Sequence, residues 1–186
     1  MSHEIEVKIK LGIEAFAPAG IRLETHTARH FEDNWLLDTK ASQLGKQRAV
    51  LRVRIMEGKG LLTFKSEAAD DALQSQFKLR EELETELANP YEALAIFDRL
   101  GFHRFFRYQK YRSVYEAHLP SGAQLHVMAD ETPLGNFLEL EGEEDAIAEA
   151  VKLLGVTPAE YILDSYLGMQ IARCRQQGKP LEDMVF

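Results

Sequence analysis

Charged and apolar residues alternate with a period of two along several segments of the chain. Residues 4–11 show this most clearly: Glu4, Glu6, Lys8 and Lys10 are separated by Ile5, Val7, Ile9 and Leu11. Because successive side chains of a strand point to opposite faces, this pattern predicts a strand with one ionic and one apolar face. The segments predicted as strands, about eight in all, are 4–11, 31–37, 50–55, 61–66, 78–87, 104–118, 123–130 and 136–141.

Helical spacing of apolar residues occurs in fewer segments. We predict helices over 90–100 and 143–154, each ending at a glycine, and over 157–175, where Thr157 and Pro158 form a start signal. Residues 12–27 are predicted to be helical in part, with interruptions at Pro18 and Gly20. No linker divides the chain, so we expect one domain over residues 1–186, loosely ordered after about residue 178.

The ionic faces can be explained in two ways. A single strand of this kind is typical of a sheet with one solvated face and one face on a core. Eight such strands, carrying acids and bases in nearly pure ionic rows, favour an α+β fold instead. In that fold a closed antiparallel β-barrel has a charged lumen, and the helices pack outside it. Crowded charges are unfavourable unless other charges offset them. A polyphosphate with divalent cations would do so, with carboxylates on the metal and Lys and Arg on the phosphates.

Composition excludes several classes of protein. With 30 acidic and 22 basic residues the formal charge is −8, which argues against a nucleic-acid partner. Cys174 is the only cysteine, so an internal disulfide is excluded. The charged start of the chain has no signal-peptide pattern, and no apolar run approaches the ~18 residues of a membrane span. We therefore expect a cytoplasmic protein without a membrane partner; a homodimer is compatible with the sequence.

The Glu4-x-Glu6-x-Lys8 strand resembles the signature of the CYTH superfamily, the triphosphate tunnel metalloenzymes. This group includes class IV adenylate cyclases, thiamine triphosphatases and inorganic triphosphatases. Further blocks resemble the family in the same order along residues 4–166: Leu51-Arg52-Val53-Arg54, Thr63-Phe64-Lys65, Arg80-x-Glu82-x-Glu84, Lys110-x-Arg112, Asp130, Leu134-Gly135-x-Phe137-x-Glu139-x-Glu141 and Ser165-Tyr166. The resemblance implies a barrel tunnel that binds a small-molecule triphosphate with Mg²⁺ or Mn²⁺.

The resemblance also suggests a role for each charged position. The predicted metal ligands are Glu4, Glu6, Glu139 and Glu141. Asp130 either completes this set or orients a water molecule, or it only ends a strand. The predicted triphosphate-binding residues are Lys8, Arg52, Arg54, Lys65, Arg80, Lys110 and Arg112. Of these we expect Lys8 and Arg54, together with Asp130, to be catalytic. Glu82 is expected to pair with one of the cations, while Lys78, Glu84 and Glu86 either contact substrate or lie in solvent.

Three functions fit such a tunnel. Water could attack a terminal phosphorus, giving a triphosphatase, or a ribose 3′-hydroxyl could attack the α-phosphorus of ATP, giving cyclic AMP and pyrophosphate. The third is a polyphosphate-binding module without turnover. We expect metal-dependent hydrolysis, because it demands less recognition at the tunnel mouth. One departure from the family concerns Asp164, since many members carry Lys or Arg there. The sequence therefore does not predict a contact between the substrate and a cation of the last helix.

Overall fold

The computed structural model describes residues 2–67 and 78–186, with side chains described for 5–66 and 80–186. Eight antiparallel strands form a ring in the order β1-β5-β4-β3-β2-β6-β7-β8. The strands are β1 (Ser2–Ile9), β2 (Arg22–Thr39), β3 (Val50–Met56), β4 (Lys59–Glu67), β5 (Lys78–Leu87), β6 (Phe102–His118), β7 (Gln124–Thr132) and β8 (Gly135–Glu141). The predicted α+β barrel is thus confirmed.

The ring closes through β1 by two short, staggered pairings. The first half of β1, Ser2–Glu6, pairs with β5, whereas Glu6–Ile9 pairs with β8. The other contacts around the ring are longer; β2 and β6, for instance, pair along almost their whole lengths. The barrel is therefore held least extensively at β1, the strand that carries the Glu6 and Lys8 side chains.

Strand β2 is much longer than the sequence pattern predicts. Its first part, 22–27, pairs with the end of β6, so the prediction of partly helical structure over 12–27 is wrong for these residues. A single 3₁₀ turn, Ile13–Ala15, precedes Gly20, whose φ of 76° turns the chain into the strand. Pairing with β6 supplies backbone hydrogen bonds that the broken helical pattern could not.

Within residues 2–67 and 78–186, four α-helices lie outside the barrel: α1 (Gln43–Lys46), α2 (Pro90–Arg99), α3 (Glu144–Leu153) and α4 (Tyr166–Gln176). The continuous helix predicted over 157–175 is wrong, because a 3₁₀ turn at Pro158–Glu160 and an extended segment precede α4. In that segment the Ile162 N–H donates a hydrogen bond of 2.8 Å to the Lys8 carbonyl. The side chain of Ser165 then caps α4 by accepting from the N–H of Gly168.

The apolar strand faces point outward and make the main cores with the helices. On one side Val7, Ile9 and Leu140 pack with Ile147 and Val151 of α3. On another, the outward residues of β3 pack with those of α2. Because the apolar faces are covered from outside, the alternating charged positions must face the lumen. Among the helices of the described residues, none is long and apolar enough to cross a membrane.

The C-terminal tail is packed against β6, in contrast to the predicted loose order after residue 178. Met184 is only 1% exposed and lies in an apolar cluster with Phe106, Tyr108 and Tyr166. Its N–H donates to the Arg107 carbonyl and its carbonyl accepts from the Gln109 N–H, both at 2.9 Å. The tail is ordered because a buried side chain and a short bridge to β6 fix it.

Candidate functional site

A cavity of about 110 Å³ lies inside the barrel, lined mainly by charged side chains. The cations that line it are Lys8, Arg52, Arg54, Lys65, Arg80, Lys110 and Arg112. The carboxylates that line it are Glu6, Glu139 and Glu141. Every residue predicted to bind triphosphate is thus brought to one cavity, from five different strands. Seven cations face three carboxylates there, so the lining favours a polyanion.

The three carboxylates lie together on one wall. Glu6 and Glu141 are direct partners across β1 and β8, and Lys8 and Glu139 form the next lumen-facing pair. Carboxylate oxygens are the ligands that Mg²⁺ and Mn²⁺ prefer, so this donor set fits such a cation. Among the described residues, no three His, Cys, Asp or Glu side chains are already gathered as a metal site. The side chain of Glu4, the fourth predicted ligand, lies outside the described residues.

Glu139 is held by cations of the lumen. Its carboxylate lies 3.3 Å from the Lys8 ammonium and accepts a hydrogen bond from the Arg112 guanidinium. A metal bound at this wall would therefore compete with two cations for Glu139. Phosphate oxygens entering the cavity could take over Lys8 and Arg112 and release Glu139 towards the metal.

Asp130 lies behind the cavity lining with a fully buried side chain. It accepts a hydrogen bond of 2.9 Å from Lys110, two bonds of 2.6 Å from Arg112 and one of 2.7 Å from the Tyr166 hydroxyl. This arrangement occupies both carboxylate oxygens and places Asp130 where it orients two cations of the lining. This geometry favours a positioning role for Asp130 over the three that the sequence suggested, namely a metal ligand, a group that orients a water molecule and the end of a strand.

Glu32 is a buried acid that the sequence analysis missed. Its side chain is 1% exposed and lies 3.5 Å from both Arg54 and Lys110. Burial alone would raise the pKa of Glu32, but Lys110, Arg54 and Arg112 outweigh it and hold the pKa well below its ordinary value. Glu32 is thus a fixed negative charge behind the cations. The signal that could have revealed it is its period-two spacing with Asn34, which accepts a hydrogen bond from Arg54.

On the wall formed by β3, β4 and β6, two hydroxyl groups accept hydrogen bonds from Arg52. The guanidinium donates to the Tyr108 hydroxyl at 3.3 Å and to the Thr63 hydroxyl at 3.2 Å. Thr63 in turn donates a bond of 2.6 Å to Glu84. Burial alone would raise the pKa of Tyr108, but Arg52, Lys110 and Arg54 together lower it. Tyr108 lines the cavity and was likewise not identified from the sequence.

The acids of β5 are placed differently from one another. Glu82 lies 3.1 Å from the Lys65 ammonium, the type of pairing expected for it. Glu84 reaches Arg52 at 3.7 Å as well as Thr63, whereas Glu86 is exposed. The side chain of Lys78 lies outside the described residues.

The segment before α4 reaches the lumen through its backbone. The Lys8 ammonium donates a hydrogen bond of 3.1 Å to the carbonyl of Asp164. Ser165, Tyr166 and Leu167 also line the cavity. At this point, where many family members carry a cation, the chain therefore contributes a carbonyl oxygen that holds Lys8.

Comparison with known proteins shows the family of the chain and solved structures of similar fold. The family model described as CYTH domain matches residues 2–164. A candidate adenylate cyclase from Vibrio parahaemolyticus is similar to the chain with 21% identity and a TM-score of 0.68, over 89% of this chain and 95% of that one. The PH1819 protein of Pyrococcus horikoshii OT3 is similar with 26% identity and a TM-score of 0.67, over 91% of this chain and 99% of that one. No curated protein matches the chain.

One further solved structure carries an activity in its description. It is HpAC1 from Hippeastrum, a candidate adenylyl cyclase described as having a dominant triphosphatase activity. It shares 20% identity with the chain at a TM-score of 0.58, over 97% of this chain and 98% of that one. At such identity the likeness concerns the fold.

Proposed function

Because the chain belongs to the CYTH domain family, we propose that it is a divalent-metal-dependent triphosphatase. The substrate is an inorganic, thiamine or nucleoside triphosphate held in the barrel lumen. One observation carries the proposal: seven Lys and Arg side chains converge on the cavity that three glutamates also line. The phosphate oxygens of a triphosphate can accept hydrogen bonds from several of these cations at once, whereas a neutral ligand offers them no charge.

The cations bind and align the phosphate chain. Arg52 and Arg54 lie side by side on β3 and can each direct two N–H donors at one phosphate group. Their orientation is fixed in advance by Tyr108, Thr63 and Asn34, so little reorganisation accompanies binding. Lys8 and Lys110 add point charges from two other strands.

Glu6, Glu139 and Glu141 would hold the divalent cation, with Glu4 as the fourth expected ligand. Bound there, Mg²⁺ or Mn²⁺ would neutralise phosphate charge and polarise the bond under attack. The protein then has to align a water molecule with a terminal phosphorus and stabilise the charge that develops on the leaving phosphate. Lys8 and Arg54 are proposed to provide that stabilisation, as predicted from the sequence.

Hydrolysis is preferred to cyclisation for a physical reason. All seven lining cations address phosphate groups, so affinity should reside in the triphosphate rather than in an organic group attached to it. A cyclase must in addition seat a ribose and orient its 3′-hydroxyl. HpAC1, similar in fold, is described as having a dominant triphosphatase activity, which agrees with this preference.

A product analysis tests the proposal. The protein is incubated with tripolyphosphate, thiamine triphosphate or ATP, each with Mg²⁺, with Mn²⁺ or with a chelator. We expect orthophosphate release that requires metal, with tripolyphosphate used at least as well as ATP. Cyclic AMP and pyrophosphate as the main products from ATP would establish the cyclase instead. Binding without any turnover would establish the non-catalytic module.

Two variants accompany this assay. Arg54→Ala should weaken the binding of all triphosphates to a similar extent, by about 1.5–3 kcal/mol for one lost set of charged hydrogen bonds. Arg99→Ala, on the exposed side of α2, is the matched control and should bind like the parent protein. Glu139→Gln and Glu141→Gln should each raise the metal concentration needed for half-maximal activity.

A further inference from the structure

Tyr166 contacts charged residues from two separate walls of the barrel. The Lys8 ammonium lies 4.3 Å from the centre of its ring, and the Lys110 ammonium lies 5.4 Å from it. Both distances fall within the range of cation–π attraction. Lys8 belongs to β1 and Lys110 to β6, and two strands, β7 and β8, lie between them. One aromatic ring thus spans a gap that no backbone pairing bridges.

The hydroxyl of Tyr166 makes a second kind of contact. It donates a hydrogen bond of 2.7 Å to Asp130, the carboxylate that also holds Lys110 and Arg112. Burial raises the pKa of Tyr166 well above its ordinary value, and the nearby Glu139 and Asp130 raise it further. The hydroxyl and two cations of the lining thus share one carboxylate.

The ring itself is held in place by packing. Tyr166 is 5% exposed, and its ring centre lies 5.8 Å from that of Tyr108 and 5.9 Å from that of Phe137. It is the first residue of α4, directly after the cap Ser165, and the preceding segment is bridged to β1 at Ile162. The start of α4 and the bridge to β1 therefore fix the backbone that carries the ring, and the two aromatic neighbours fill the space beside it.

A purely structural residue would not need this chemistry. Phenylalanine would fill the same apolar space, and a buried hydroxyl is costly unless it is hydrogen-bonded. Here the hydroxyl is directed at the carboxylate that orients two cations of the lining, and the ring at two lysines. Each polar contact of Tyr166 thus ends on a group that meets the cavity, or on its immediate support.

We propose that Tyr166 is a positioning residue for triphosphate binding, which sets the spacing between Lys8 on one wall and the Lys110–Arg112 pair on the other. The ring holds the two ammonium groups, and the hydroxyl shares the charge of Asp130 so that Lys110 and Arg112 remain available to phosphate. This inference rests on the proposed function. It assigns Tyr166 no contact with the reacting phosphorus.

Two substitutions separate the two contacts. Tyr166→Phe keeps the ring and removes the hydroxyl, so Asp130 should hold Lys110 and Arg112 more strongly. We expect tripolyphosphate to bind about 3- to 10-fold more weakly, as for one lost hydrogen bond. Tyr166→Leu also removes the ring, and the loss should reach about 30-fold or more.

Phe137→Leu is the matched control for packing. Phe137 belongs to the same buried cluster and touches the Tyr166 ring, but it does not line the cavity. This variant should lower the melting temperature while leaving the affinity for tripolyphosphate within about twofold of the parent protein.

Calorimetric titration with tripolyphosphate and a chelator measures affinity apart from turnover. If both Tyr166 variants bind as tightly as the parent, or if Phe137→Leu weakens binding as much as Tyr166→Leu does, the positioning role is wrong. The role is supported if Tyr166→Phe binds tripolyphosphate more weakly than the parent, Tyr166→Leu binds it more weakly still, and Phe137→Leu binds it about as tightly as the parent. Failure of the parent protein to bind tripolyphosphate, with the chelator and with Mg²⁺ alike, would overturn the proposed function, and the inference with it.

Discussion

The charges of the lumen come in layers. The cations meet the cavity, while Glu32 and Asp130 lie behind them with side chains that are almost fully buried. Removing such a buried acid leaves its cations without a counter-charge, which is far more costly than breaking a surface pair. The buried acids thus hold the cations apart and in place until phosphate arrives.

Glu32→Gln tests this layer. The variant should lose about 3 kcal/mol or more of unfolding free energy without ligand, because Arg54 and Lys110 lose a buried partner. Tripolyphosphate should then stabilise it more than it stabilises the parent protein, since the anion replaces the missing charge. Chemical unfolding with and without tripolyphosphate measures both effects.

Glu131→Gln is the control for this experiment. Glu131 makes a two-bond pair with Arg29 on the outside of the barrel, where solvent screens the interaction. Loss of this pair should lower the unfolding free energy by less than about 1 kcal/mol. Tripolyphosphate should stabilise this variant as much as it stabilises the parent protein. Equal losses in the two variants would contradict the layered arrangement.

Among the elements, helix α1 shows how a local contact shapes the connection between β2 and β3. It has only four residues, too few for a periodic signal, and it was not predicted. Asp38, at the end of β2, accepts hydrogen bonds from the N–H groups of Thr39, Leu44 and Gly45 at 2.7, 3.0 and 2.9 Å. One carboxylate therefore organises the turn that joins two strands of the site.

Asp38 should make stability depend on pH. Burial alone would raise its pKa, but the N–H groups of Gly45, Leu44 and Thr39 outweigh it and lower the pKa below the ordinary 3.8. A carboxylate whose pKa is lower in the folded state than in the unfolded state stabilises the fold at any pH above its unfolded-state pKa. This stabilisation is lost as the pH falls through the pKa of the folded state. Asp38→Asn should lower the unfolding free energy by about 1–3 kcal/mol at pH 7. The difference in unfolding free energy between variant and parent should be smaller below about pH 4.

Urea unfolding of the parent and the variant between pH 7 and pH 3 measures this effect. Asp145→Asn serves as the control, since Asp145 is exposed in the first turn of α3. It should cost under about 1 kcal/mol, as for a charge near a helix N-terminus. A difference for Asp38→Asn that stays constant over the whole pH range would contradict the assignment.

At the scale of the whole molecule, the C-terminal tail supports one end of the barrel. Met184 packs between β6 and α4, among the aromatic residues that include Tyr108 and Tyr166. Two residues of the cavity lining thus rest on a segment that lies beyond the matched family region, which ends at residue 164.

Met184→Ala should lower the unfolding free energy by about 2–4 kcal/mol, as for a buried methionine cut to alanine. Met184→Leu conserves volume and should cost less than about 1.5 kcal/mol. Val185→Ala, at an exposed neighbouring position, is the control and should change stability by under about 0.5 kcal/mol. If Met184→Ala behaved like Val185→Ala, the tail would not be a packed part of the fold.

The sequence by itself determined the barrel and the composition of its lumen. Alternation is a local property, so Lys8, Arg52 and Glu139 could be assigned to one face of their strands before any pairing was known. Family resemblance then placed these strands in one tunnel, and the eight predicted strands are all present. Substrate and metal identity stay predictions.

Only the tertiary structure decided which charges meet. Glu32 lies in the run 32–34, where three consecutive polar residues weaken the alternation, and its partners come from β3 and β6. Tyr166 and Met184 are likewise far in sequence from the strands they contact. Pairings of this kind depend on ring closure and on helix packing, which bring together residues up to 156 positions apart, as for the Lys8 side chain and the Asp164 carbonyl. Local sequence patterns contain no information at that separation, because the contact exists only once the barrel has closed.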